Sequence, residues 1–82
     1  MDINQAAAAV EEFVTGFADR AGQQAREVRV RPSGDDAQAI KVWADLGPGH
    51  DDAACRAWAG ELEAAATKVA AGFTLEVRVE SM

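Results

Sequence analysis

"REVRVRPSGDDAQAIKVWADL", residues 26–46, decides the fold. In its first half Val28 and Val30 alternate with Glu27, Arg29 and Arg31; in its second, Ile40, Val42, Ala44 and Leu46 alternate with Lys41, Trp43 and Asp45. A period of two sends successive side chains to opposite faces of a strand. Pro32, Ser33, Gly34, Asp35 and Asp36 supply the turn between the two runs. The stretch therefore predicts a β-hairpin with one apolar and one charged face, and it sets Trp43 on the charged one.

An apolar sheet face needs a cover, and the flanking segments supply two. Upstream, "DINQ" at residues 2–5 places Asp2 to cap a first helical turn, with Gln5 three residues on to reach back. Ile3, Ala6, Val10, Phe13, Phe17 and Ala21 then recur at steps of three and four, which predicts a helix running to Gly22. Downstream, "GPGHDD" at 47–52 breaks the chain and starts a second helix with Asp51 and Asp52 in its first turn, where the helix dipole favours negative charge. Cys55, Trp58, Leu62, Ala65, Ala66 and Val69 form its apolar stripe, and Gly72 is the expected stop. "FTLEVRVE" at 73–80 alternates again and predicts a third strand.

The order αββαβ implies a single domain over residues 1–82, an α/β (α+β) two-layer sandwich in which both helices lie on one face of a three-stranded sheet. A crossover through the second helix makes the third strand parallel to the second, and the expected strand order is 2-1-3. In element order this is similar to the type II KH domain and to the small modules of secretion rings. The KH resemblance implies a GxxG loop between two helices to clamp a nucleic-acid backbone. The chain has only "GPG" at 47–49 and the isolated Gly60.

Charge points the same way. Fourteen Asp and Glu against eight Lys and Arg give a net charge of −6, the wrong sign for binding phosphates, so no direct nucleic-acid contact is expected. Residues 1–20 hold no basic cluster and no long apolar run, which argues against a signal peptide or membrane span and for a cytoplasmic protein. The single cysteine, Cys55, agrees with a reducing compartment.

Asp45, His50, Asp51, Asp52 and Cys55 are metal-ligating types, but their spacing matches no metal cage. His50 and Cys55 make a weak nucleophile and base pair, and the carboxylates read as exposed, where nothing raises a pKa for acid work. No cofactor and no enzymatic activity are expected.

What remains is surface. Trp58 falls in a helical apolar stripe and reads as core, whereas Trp43 stands among Glu27, Arg29, Arg31, Lys41, Glu76 and Arg78. There it serves as a platform on which arginines stack, as a contact anchor, or as both. The outer side of the second helix is smooth, with Ala53, Ala57, Gly60, Ala64 and Ala71. The topology gathers Asp19, Asp45, Asp51, Asp52 and Glu80 at one pole and Asp35 and Asp36 at the other.

The expected function is that of a monomeric, non-catalytic acidic protein-binding module. It would inhibit a larger nucleic-acid-processing complex by setting carboxylates against its basic surface in place of phosphates. In size and acidity the chain resembles the small inhibitors that phages and mobile elements carry against CRISPR or restriction systems. The alternative is a structural homo-oligomer or complex subunit that buries the sheet face around Trp43.

Overall fold

A computed structural model describes residues 1–82. Helix α1 spans Ile3–Gly16. The carboxylate of Asp2 accepts the Gln5 backbone N–H at 2.8 Å and the Gln5 side chain accepts the Asp2 N–H at 3.0 Å, so two otherwise unpartnered donors are satisfied reciprocally. The helix stops at Gly16, short of the expected Gly22, because Phe17 turns to extended backbone at φ −74°, ψ 134°. Asp19 holds the new direction: its carboxylate accepts the N–H groups of Ala21 at 3.0 Å and Gln23 at 2.9 Å, closing a turn between Ala18 and Gln24. Released from the helix, Phe17 packs edge-on against Trp58 with ring centroids 5.4 Å apart.

The sheet consists of β1 (Glu27–Pro32), β2 (Ala39–Asp45) and β3 (Thr74–Glu80). Its order is β1-β2-β3, with β1 antiparallel and β3 parallel to β2. The expected 2-1-3 order is thus replaced by one in which β2 is central, and composition explains why. Most of β2 is buried, as a strand with neighbours on both sides and helices above it must be. β1 alternates exposed and half-buried residues and ends in Pro32, which has no N–H to offer a second neighbour.

Helix α2 spans Asp52–Ala66, capped by Asp51, whose side chain accepts the Ala54 N–H at 2.8 Å. It ends before the expected Gly72. The chain continues in turns, with the N–H groups of Val69 and Ala70 donating to the Ala66 carbonyl. Gly72, at φ 93°, then takes a left-handed conformation open to glycine and swings the chain into β3.

Helix α1 packs over β1 and α2 over β3, so the inner residues of β2, Ile40, Val42 and Ala44, lie beneath both. Val10, Val14, Trp58 and Leu62 close on them from above and are all but inaccessible. Phe13 and Phe17, expected inside, are only partly buried at the margin of the core, and Val69 is half-buried. No helix is long and apolar enough to cross a membrane.

Candidate functional site

The face of the sheet turned away from the helices is bare, and strand register arranges it in rows. Arg29, Trp43 and Arg78 form the middle row; Arg31, Lys41 and Glu76 lie on one side of it, Glu27, Asp45 and Glu80 on the other. Trp43, half-buried, occupies the centre. The Arg29 guanidinium sits over its ring at 5.3 Å from the centroid, within cation–π range. The indole N–H donates to Glu80 Oε2 at 3.0 Å, and the same carboxylate accepts Arg78 at 3.0 Å. Arg29 in turn pairs with Glu27 at 3.0 Å. The ring is therefore fixed by one contact over its plane and one at its edge. Arg31, Lys41 and Glu76 engage in no ion pair and line the same shallow groove as Trp43.

Charge is divided unevenly between this face and the remainder. The rows of this face carry Arg29, Arg31, Lys41 and Arg78 against Glu27, Asp45, Glu76 and Glu80. Ten of the fourteen carboxylates lie elsewhere, with only the other four basic residues, so the rest of the molecule carries the whole net negative charge.

Asp45 corrects the expectation of an exposed acidic pole. Only 1% exposed, it is buried at the end of the central strand. Its Oδ1 accepts the N–H groups of Gly47 at 2.8 Å and Met82 at 3.0 Å, and its Oδ2 accepts Arg26 at 2.9 Å. The Arg26 N–H donates back to the Asp45 carbonyl at 2.7 Å. The Gly47 amide above all, then Met82 and Arg26, hold the carboxyl below its usual range against the opposing pull of burial. Asp45 is a clasp joining the start of β1, the loop after β2 and the end of the chain. It cannot present charge to a partner.

The other acidic residues part company. Asp51 and Asp52 flank the start of α2, exposed, and with Asp45 they add negative potential at the buried Cys55. Burial first, then these three carboxylates, push its thiol up and leave it an inert core group. Glu80 pairs with Asp45 in register but is committed to Trp43 and Arg78, and Asp19 to the turn of its own loop. Asp35 and Asp36 lie in the turn between β1 and β2, where Asp36 accepts the Gln38 N–H at 2.8 Å. No group of three or more His, Cys, Asp or Glu is arranged to hold a metal ion.

The Arg26 and Met82 partners of Asp45 escaped sequence reasoning, because neither lies near it in the chain. The one available signal was a carboxylate closing an otherwise apolar strand before Leu46 and Gly47. Comparison with known proteins finds no matching family model, no curated relative and no matching solved structure.

Proposed function

We propose that the protein is a non-catalytic binding module for another protein, and that it engages its partner through the open sheet face centred on Trp43. The observation that carries this reading is the fixation of the indole. Trp and Arg dominate interface hot spots, and a side chain already held in place gives up little conformational freedom on binding. Here Trp43 is braced by Arg29 and Glu80, with Arg31, Lys41 and Glu76 beside it unpaired.

The division of charge favours a second reading, in which the acidic remainder of the molecule occupies the nucleic-acid-binding surface of a larger complex as an inhibitor. Asp51 and Asp52 are the exposed carboxylates available for that role at the α2 end, Asp45 being withdrawn.

The two readings separate in one experiment: capture of partners from lysate by the immobilised protein, compared with Trp43→Ala and with the double variant Asp51→Asn, Asp52→Asn. Loss of a captured protein with Trp43→Ala alone supports the sheet face. Loss with the aspartate variant, together with steep weakening in salt, supports phosphate replacement. A captured protein that both variants retain overturns both.

A further inference from the structure

The sheet has two edges, β1 and β3, and their residues treat a visiting strand differently. β1 ends in Pro32 and carries Arg29 and Arg31. Paired antiparallel with its own copy, it sets arginine against arginine whether centred on Arg29 or on Val30, where like charges repel, and centring on Val28, which opposes Glu27 to Arg29, overlaps only residues 27–29 of each strand. Proline and repeated positive charge are common devices for keeping an edge unpaired.

β3, "TLEVRVE", has neither proline nor lysine. Its backbone directions follow from its two ends: the Glu80 carbonyl accepts the Leu46 N–H at 2.9 Å and the Thr74 N–H donates to the Gln38 carbonyl at 2.7 Å. Alternate residues of a strand turn their backbone groups to opposite sides, so Thr74, Glu76, Arg78 and Glu80 address β2. Leu75, Val77 and Val79 direct an N–H and a C=O each to the free edge.

We propose that this edge is a homodimer interface, β3 pairing antiparallel with β3 of a second copy about a two-fold axis through Val77. That register makes Val77 opposite Val77, and Leu75 opposite Val79, the hydrogen-bonded pairs, which is the phase the free backbone groups require. It sets Glu76 of each copy opposite Arg78 of the other in the closer, non-hydrogen-bonded pairs, where Cα atoms are about 4.5 Å apart and side chains meet most directly.

Glu76 has no ion-pair partner within its own chain, and the Arg78 side chain, which touches Glu80 at 3.0 Å, is still 77% exposed and open to a second carboxylate. Centring one residue earlier or later opposes Glu76 to itself or Arg78 to itself and puts the backbone groups out of phase. The half-buried Val77 and Val79 gain neighbours on the helix side. An interface on a two-fold axis must be complementary to itself, and of the two edges only β3 is so along its full length. The pairing leaves the Trp43 face open and joins two copies of it in one continuous sheet.

Sedimentation velocity across a concentration series reaching millimolar, with amide exchange of the wild-type protein, tests this. The expected result is a concentration-dependent dimer whose Val77 and Val79 amides become protected as it forms. Glu76→Arg, still folded by circular dichroism, should weaken dimerisation about tenfold by turning both attractive pairs repulsive, and adding Arg78→Glu should restore it. A protein that stays monomeric at millimolar concentration overturns the proposal. So does a dimer in which the Val77 amide still exchanges freely, or one abolished by Trp43→Ala with Glu76→Arg harmless, since that dimer joins through the sheet face.

Discussion

Trp58 and Trp43 make the same kind of bond and belong to different regions. The indole N–H of Trp58 donates to the Gln23 carbonyl at 2.8 Å, and that of Trp43 to the Glu80 carboxylate at 3.0 Å. Trp58 is 1% exposed, enclosed by the helices and the inner face of the sheet, with Phe17 against its ring. Trp43 lies on the outer face under a single arginine, with charged neighbours in every row. One side chain fills volume that nothing else can fill; the other rests on a surface that persists without it. Aromatic content alone therefore says little about stability, and the layer a ring occupies says most of it.

The sharpest way to break this comparison is to truncate both rings. Trp58→Ala should cost about 3 to 5 kcal/mol, the range for deleting a large core aromatic, and much of a small domain's total stability. Urea midpoints measure it. Equal losses from Trp58→Ala and Trp43→Ala would mean that the outer face is as structural as the inner one.

A smaller loss is expected from Asp45→Asn, and it should depend on pH. The folded carboxyl titrates below its unfolded value of about 3.9, so its contribution is complete at neutral pH and is lost as pH falls through the folded pKa. The gap in urea midpoint between wild type and Asp45→Asn should be widest near neutrality and close in acid. The absence of a gap at any pH would show that the amide partners, whose N–H groups Asn can still accept through its oxygen, matter more than the charge.

Trp43→Ala should have the smallest effect on stability, about 1 kcal/mol, the size of an exposed cation–π contact with a hydrogen bond. Acrylamide quenching sharpens the contrast: the protein retaining only Trp43, as Trp58→Phe, should be quenched more readily than the one retaining only Trp58, as Trp43→Phe.

Element order, the capping box at Asp2 and Gln5, the cap at Asp51 and the two faces of β2 were legible because each rests on residues a few positions apart. Strand order was not, since which strand takes the centre depends on how three strands share two helices. Helix ends at Gly16 and Ala66 were overrun because the apolar period continues past both, while Asp19 and the turns after Thr67 redirect the backbone. Of the site, the Trp43 platform was readable from alternation. The withdrawal of Asp45 was not, because it depends on Arg26, 19 residues before it, and Met82, 37 residues after it, arriving at the same carboxylate.

The central place of β2 also sets an order of assembly. Its antiparallel neighbour is joined to it by the short connection at residues 33–38, whereas its parallel neighbour arrives only after residues 46–73, helix included, have crossed over. Closing the longer loop costs more chain entropy before any contact repays it. The hairpin of β1 and β2 should therefore form early under α1, and the docking of β3 with α2 should come last, after the rate-limiting step. Substitutions that weaken the seam between β2 and β3, such as Leu75→Ala, should then act chiefly by speeding unfolding rather than by slowing the formation of the hairpin.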